Sequence, residues 1–159
     1  MAIIIKSGSE IECMRKAARI NAQALEAMRR AVRPGITTRE LDRIAEEVIL
    51  SQGATRAFLN YPNFTAPGHP YPATINASIN SELVHGIPGK RDLKEGDIIS
   101  LDCGAVKDGF VGDAAITVPV GHISPKAERL IDVTREALRL AIDASRAGNR
   151  VGDISATIQ

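Results

Sequence analysis

Apolar residues recur at helical spacing in three segments of the chain, and each segment is bounded by capping and breaking residues. Helix starts are indicated by capping residues at Ser9 with Glu12, Thr37 with Glu40, and Ser124-Pro125. Pro34-Gly35 and Gly53 predict the ends of the first two helices. The predicted apolar stripes are Ile11, Met14, Ala18, Ala22, Leu25, Met28 and Val32; Leu41, Ile44, Ala45, Val48 and Ile49; and Leu130, Val133, Ala137, Leu140 and Ala141.

The remaining segments favour strands and loops. The run Ile3 to Ile5 predicts a short strand, and residues 58–72, with four prolines, predict a loop with fixed turns. From Ala73 to about Val120 the chain is rich in Ile and Val and predicts strands. Turns inside that region are predicted at residues 94–97 and 107–109.

A repeat relates two parts of the chain at a shift of 113 residues. The matching pairs are Ile20 with Val133, Ala24 with Ala137, Leu25 with Leu138, Arg33 with Arg146, Gly35 with Gly148, Glu40 with Asp153 and Leu41 with Ile154. Two amphipathic helices followed by glycine turns can also match by chance. The alternative is a duplicated unit: one catalytic domain over 1–159, with a first repeat at about 9–121 and a second that begins at about 124–159 and is truncated.

Composition and charge narrow the class of protein. Apolar residues make up 44% of the 159 residues, which is enough for a packed core. The formal net charge of +1, without a basic block, gives no reason to expect direct nucleic-acid binding. Neither a signal peptide nor a membrane span is predicted, so we expect a cytoplasmic protein. Cys13 and Cys103 lack metal-ligand spacing and are predicted to be free thiols.

Two acidic residues flank the predicted turn at 107–109. If that turn is a two-residue hairpin in which paired positions sum to 215, Asp102 and Asp113 face each other across neighbouring strands. Such a pair requires a shared proton or a cation between the carboxylates, and a divalent metal meets that need. Two solvated acids on an open sheet face are an equally good interpretation of these residues alone. A bulged turn would instead place the two acids on opposite faces.

A histidine and a cysteine complete the candidate chemistry. His85 stands beside Gly86 in the segment 84–88, on a turn that can present an imidazole to a substrate carbonyl. A structural role is the commoner fate of such a histidine. Cys103 follows Asp102 on the same strand, so alternation points its side chain to the opposite face, where we expect packing.

The segments VHGIPG, preceded by Asn80, and LKEGDIISLDCGAVKDGFVGDAA resemble the type I methionine aminopeptidases. The resemblance extends from Ser9 to Gln159. It implies an α+β pita-bread fold, in which helices pack on one face of an antiparallel sheet and the second pseudo-symmetric repeat is here incomplete.

The resemblance also implies chemistry for particular residues. Asp102 and Asp113 would be two of five ligands to two divalent metal ions (Co, Mn, Fe or Zn), and His85 would bind substrate and stabilise the transition state. The partners implied are nascent polypeptide N-termini with Met first, at the ribosome, for a monomeric enzyme without membrane association. The longer loop at 62–70, and Arg150 at a helix-cap position, depart from the family pattern.

Several functions remain open on these residues. The leading hypothesis is metal-dependent removal of the initiator methionine, with the 159-residue chain inactive alone because the remaining ligands of the family are absent. A proline-specific dipeptidase of the same fold is the alternative among enzymes. A non-catalytic pita-bread binding module is the alternative outside enzymes.

Overall fold

The computed structural model describes residues 3–64 and 66–159. They form two compact units, which divide between His122 and Ile123. The elements are α1 (Gly8–Ala31), α2 (Thr38–Ser51), β1 (Thr55–Arg56), β2 (Ile75–Ile79), β3 (Ile98–Lys107), β4 (Phe110–Pro119), α3 (Pro125–Ala144) and α4 (Val151–Ile158). The loop predicted at 58–72 is confirmed, apart from Thr65, which lies outside the described residues.

The start of α1 corrects two predictions. Its capping box is Ser7 with Glu10, not Ser9 with Glu12, because Ser7 Oγ accepts from the Glu10 amide while the Glu10 carboxylate accepts from the Ser7 amide. Serine precedes glutamate by three residues in both pairs, so the sequence pattern alone does not separate them. The strand predicted at Ile3 to Ile5 is wrong, since these residues are not in a strand and Ile3 is 93% exposed.

The buried face of α1 is also rotated from the predicted stripe. Leu25 and Met28 are buried as predicted, and Val32 packs against the core, whereas four predicted positions, Ile11, Met14, Ala18 and Ala22, are exposed. The buried positions that replace them include Ala17, Ile20 and Ala24. A Cβ on Gly112 of β4 would lie 2.5 Å from the Ala17 carbonyl carbon. The close contact between α1 and β4 at Gly112 therefore sets which face of the helix is buried.

Helix α2 agrees with its prediction. Thr37 and Glu40 form the predicted capping box, and the helix ends just before Gly53, which has a φ of 62°. Leu41, Ala45 and Ile49 are fully buried, while Ile44 and Val48 pack at the edge of the same core. The apolar stripe of α2 therefore places this helix on the core as predicted.

The sheet is antiparallel and is organised around β3. Along one side β3 pairs with β4 over its whole length, and along the other it pairs with β2 and then with the short β1. Strand β1 was not predicted, because two residues carry no detectable alternation. The irregular segment between β2 and β3 includes the predicted turn near residue 96, where Gly96 has a φ of 89°.

The β3–β4 hairpin differs from the predicted register. Its loop is Asp108-Gly109, with φ values of 53° and 80°, and Lys107 pairs with Phe110. Positive φ at both loop residues identifies a two-residue hairpin of the type that Asp-Gly favours. Paired positions therefore sum to 217 and not to the predicted 215, as the pairing of Asp102 with Ala115 shows.

Strict alternation gives the sheet two different faces. The helix face, which packs against the helices and forms the core, comprises Ile75, Ala77, Ile79, Ile99, Leu101, Cys103, Ala105, Gly112, Ile116 and Val118. The site face, on the other side, comprises Asn76, Ser78, Ser100, Asp102, Gly104, Asp113, Ala115 and Thr117. The predicted fold class, a sheet with helices on one face, follows from this division.

The second unit contains α3 and α4. Ser124 caps α3 as predicted, since its hydroxyl accepts from the Ala127 amide, and Pro125 is the first helical residue. Of the predicted apolar stripe of α3, Ala141 is buried, whereas Leu130, Val133 and Leu140 are exposed. At the start of α4 the Asp153 carboxylate accepts from the Arg150 amide at 2.7 Å, while the Arg150 side chain has no acceptor to offer. None of the helices in the described part of the chain is both long and apolar enough to span a membrane.

Candidate metal centre

Asp102 and Asp113 lie on the same face of neighbouring strands but are not directly opposite. Asp102 pairs with Ala115, and Asp113 pairs with Gly104, so the two acids are diagonal neighbours. Diagonal positions on one face remain within reach of each other's side chains. The predicted partner is therefore wrong by two residues, which keeps the two acids on one face as predicted.

The electrostatics show that the two carboxyl groups interact. The pKa of Asp113 is raised above its usual value, first by partial desolvation, then by the negative charge of Asp102 and a side-chain hydrogen bond with it. Asp113 is exposed at the surface of the described residues. A hydrogen bond between two carboxyl groups requires a proton on one of them, and a cation can take the place of that proton.

The neighbours of the two acids on the sheet are polar or small. Asn76 on β2 pairs with Asp102, and its amide nitrogen donates to Asp102 Oδ2 at 2.8 Å. Gly104, opposite Asp113, leaves room for the 57–58 segment, because a Cβ there would lie 2.7 Å from Ala57 Cβ and 2.9 Å from the Phe58 ring. Asn76 was not predicted as a site residue, although its position three residues after Ala73 placed it among the predicted strand residues.

His85 lies on the far side of β2 from Asp102. Val84 and His85 both have positive φ, 42° and 51°, which is unusual for non-glycine residues. The turn is attached to β2 through Gly86, whose carbonyl accepts from the Ala77 amide at 2.8 Å and whose amide donates to Ser78 Oγ at 3.2 Å.

The attachment through Gly86 leaves no space for a side chain. A Cβ on Gly86 would lie 2.3 Å from the Ala77 carbonyl oxygen. The Tyr71 hydroxyl, within 2.9 Å of Ile75 O and 3.3 Å of Gly86 O, also links the start of β2 to this turn. The imidazole of His85 is exposed, so the backbone holds the residue while its side chain is free to meet a ligand.

Cys103 has the position that alternation predicted. It is fully buried on the helix face, on the opposite side of the sheet from Asp102 and Asp113. Burial raises the pKa of its thiol to about 12, with smaller contributions from the nearby acids. A neutral, buried thiol is a packing group and not a metal ligand.

The donor set suits a divalent cation in part. Asp102 and Asp113 supply up to four carboxylate oxygens on one face, and hard or borderline divalent metals accept such ligands. Within residues 3–64 and 66–159, no group of three or more His, Cys, Asp and Glu side chains is placed so that it could hold a metal ion. Two acids could supply only part of a metal-binding shell, and further ligands would be needed to complete it.

Comparison with known proteins places this arrangement in a family. Residues 12–159 match the model of metallopeptidase family M24. The chain is 46% identical over 157 residues to the methionine aminopeptidase of Clostridium perfringens, covering 99% of this chain and 60% of that protein. It therefore spans about 60% of the length of that curated relative.

Solved structures agree with the fold. The crystal structure of methionine aminopeptidase from Thermotoga maritima superposes with a TM-score of 0.92 at 40% identity, covering 99% of this chain and 61% of that one. The prolidase from Pyrococcus furiosus, at 22% identity and a TM-score of 0.82, covers 98% of this chain and 42% of its own, and shows the fold alone. With a family match over nearly its whole length and the pita-bread architecture in its sheet and helices, the chain belongs to metallopeptidase family M24.

Proposed function

We propose that the complete protein containing this chain is a methionyl aminopeptidase, which removes the initiator methionine from newly made polypeptides. The observation that carries the proposal is the pair of interacting carboxylates on the site face, Asp102 and Asp113. The likeness of nearly the whole chain to methionine aminopeptidases supports the substrate class. The activity is proposed for the complete protein because the chain spans about 60% of the relatives' length.

We assign Asp102 and Asp113 to the binding of divalent metal ions, two in number. Metal ions in such a site supply Lewis-acid activation of water and of the scissile carbonyl. The chain's own contribution is a rigid acidic surface, in which both acids stand on long paired strands and keep their separation. The identity of the metal, among Co, Mn, Fe and Zn, depends on ligands beyond these two and on metal supply.

His85 is assigned to the substrate. Its exposed imidazole can donate a hydrogen bond to the carbonyl oxygen of the bond being cleaved, where negative charge develops. The double positive-φ turn and the Gly86 attachment to β2 hold this donor in place without using its side chain. Leu83, Val84 and Ile87, exposed on the same segment, add apolar surface beside it.

The proposal extends to the organisation of the domain, in which the second unit begins a second copy of the first. Helix α2 starts at Thr38 and α4 at Val151, and these positions are 113 residues apart, as the sequence repeat requires. Gly35 and Gly148 both have positive φ, 86° and 96°. This agreement at two helix starts and two turns supports repeats at about 9–121 and 124–159.

The partners and location follow from the substrate. An enzyme that acts on nascent chains with Met first would work in the cytoplasm, near the ribosome, and as a monomer. Cleavage of Xaa-Pro dipeptides is the alternative activity within the fold, and the higher identity to methionine aminopeptidases disfavours it. The non-catalytic alternative is disfavoured by the retention of both acids and His85.

The test is a peptidase assay on the complete protein with Met-Gly-type and Xaa-Pro-type peptides, with and without chelator. We expect chelator-sensitive release of Met, and loss of both activity and metal content in Asp102→Asn. Asp108→Asn is the matched control, because it makes the same change in the loop of the same hairpin, where asparagine also accepts the positive φ. Full activity and metal content in Asp102→Asn would contradict the metal assignment.

His85 has its own test. We expect His85→Ala to lower kcat by ~10²–10³ while metal content stays unchanged, since a transition-state donor has about that effect on rate. If the variant instead loses its bound metal, His85 is a metal ligand. An unchanged rate would leave it a structural residue of the turn.

A further inference from the structure

Asn76 is the buried polar side chain of β2 that reaches the acidic pair. It is 7% exposed, and its amide nitrogen lies 2.8 Å from Asp102 Oδ2. The neighbouring site-face residue of the same strand, Ser78, is also buried, at 4% exposed, but accepts from the Gly86 amide instead. Two residues on one face of one strand therefore serve different partners, the metal-facing acid and the histidine turn.

The backbone leaves Asn76 little freedom. Asn76 and Asp102 are directly paired across β2 and β3, so the donor and the acceptor are held by the same ladder. The preceding residue, Ile75, is held by both of its backbone polar groups: its amide donates to Asp42 Oδ1 at 3.0 Å, and its carbonyl accepts from the Tyr71 hydroxyl. The backbone from which the Asn76 side chain reaches Asp102 is thus held in place.

The hydrogen bond acts on the geometry of the acid. Occupying Oδ2 restricts rotation of the Asp102 carboxylate and leaves Oδ1 to turn towards Asp113 and a cation. An amide donor orients the carboxylate without neutralising it, whereas lysine or arginine at this position would compete with a metal for the negative charge. Burial of Asn76 keeps water from replacing the bond.

We infer that Asn76 is a positioning residue for metal binding, which acts through Asp102 and does not touch metal or substrate itself. This inference rests on the proposed function, because it gives Asp102 the role of a metal ligand. Removal of a group that orients a metal ligand typically weakens metal affinity 10–100-fold. The expected signature is a change in metal affinity that excess metal can reverse.

The experiment measures the dissociation constants of Mn²⁺ and Co²⁺ for the complete protein by calorimetry, in the wild type, Asn76→Ala, Asn76→Thr and Ser78→Ala. We expect both Asn76 variants to bind each metal about 10–100-fold more weakly. Threonine suits a strand but is too short to reach Oδ2, so it keeps the test open if alanine destabilises the fold. Ser78→Ala removes a buried hydroxyl from the same strand and is expected to leave metal affinity unchanged.

Kinetics separate positioning from a general structural role. At limiting metal the Asn76 variants should show lower kcat, at saturating metal kcat should return to within about twofold of wild type, and KM for the peptide should not change. If the wild type binds metal and the Asn76 variants bind it equally well, or if kcat stays low at saturating metal, the inference is overturned. If the wild type itself binds no divalent metal, the proposed function fails, and the role of Asn76 fails with it.

Discussion

The two faces of the sheet are built from the same strands, yet they meet opposite requirements. On the helix face, the positions from Ile99 to Ala105 at every second residue are fully buried and apolar. On the site face, Asp102 is half-buried, Asp113 is exposed, and their carboxyl groups interact unfavourably unless a proton or a cation lies between them. The helix face stabilises the fold, whereas the charges on the site face destabilise the fold when no metal is bound.

This division shows how a sheet can carry an acidic site without losing its core. Cys103 lies between Asp102 and Gly104 in sequence, but its side chain is fully buried in the core while its neighbours face the site. Long pairing of β3 with β4 holds both faces in one register, so tight packing on one side also sets the spacing of the acids on the other.

The largest difference in stability between the two faces is expected from Leu101→Ala. Leu101 is fully buried on the helix face, and its truncation is expected to lower the free energy of unfolding by about 3–4 kcal/mol. Ser100→Ala changes the adjacent residue on the site face, where the hydroxyl shares one hydrogen bond with Thr117 Oγ1 at 2.9 Å. Its expected cost is about 1 kcal/mol. Urea unfolding of the two variants measures the difference, and equal losses would contradict the division of the sheet.

A methyl group added at a glycine on each face gives the next comparison. Gly112→Ala places a Cβ 2.5 Å from the backbone of α1 at Ala17 and Ala18, which cannot move without shifting the helix. We expect it to destabilise by about 2–3 kcal/mol. Gly104→Ala meets the Phe58 ring, which can rotate, and Ala57 Cβ, which moves only with the irregular backbone of the 57–58 segment, so about 1–2 kcal/mol is expected.

Thermal unfolding of both glycine variants decides this second comparison. Gly104→Ala should also disturb the site more than its stability loss suggests, because Gly104 is paired with Asp113. A greater loss of stability in Gly104→Ala than in Gly112→Ala would show that the 57–58 segment, and not α1, is the rigid side of the sheet.

The sequence predicted the helix face and its elements well where the pattern is periodic and local. The stripe of α2, from Leu41 to Ile49, needed only helical spacing, and Cys103 was placed on the packing face by alternation. The stripe of α1 failed at Ile11 and Met14 because the contact that selects its buried face, at Gly112, is with a strand about 100 residues later.

The site face was predicted in part. Asp102 and Asp113 were assigned to one face, but their register depended on which two residues form the loop, and the two candidate loops, 107–108 and 108–109, differ by one position. Asp-Gly at 108–109 is the stronger hairpin signal and would have given the observed register. Asn76 carried no signal of its own, since its bond to Asp102 depends on the pairing of β2 with β3.

Charge on the site face can be removed without touching the core. In the presence of chelator, we expect Asp102→Asn to raise the free energy of unfolding by about 0.5–1 kcal/mol, because the repulsion between neighbouring carboxylates is lost. The asparagine oxygen can still accept from Asn76, so that hydrogen bond is kept. Urea unfolding in chelator, with Asp108→Asn as the matched variant, measures the gain. A loss of stability would mean that Asp102 has a favourable partner beyond Asn76.

The smallest effect is the pH dependence of the same repulsion. The pKa of Asp113 is raised above its usual 3.8, so between 3.8 and the raised value the folded state holds more protons than the unfolded state. The stability that Asp113 contributes therefore falls as pH rises through this window and stays low above it. Asp113→Asn removes this dependence and should be more stable than the wild type near neutral pH, in chelator, with the advantage shrinking as pH approaches 3.8.

Asp42, whose pKa burial also raises, and the carboxylates with lowered pKa are present in both proteins, so they drop out of the difference. Unfolding free energies of the two proteins from pH 7 downwards test this, and a stability difference that does not change with pH would show that Asp113 does not titrate differently in the folded state.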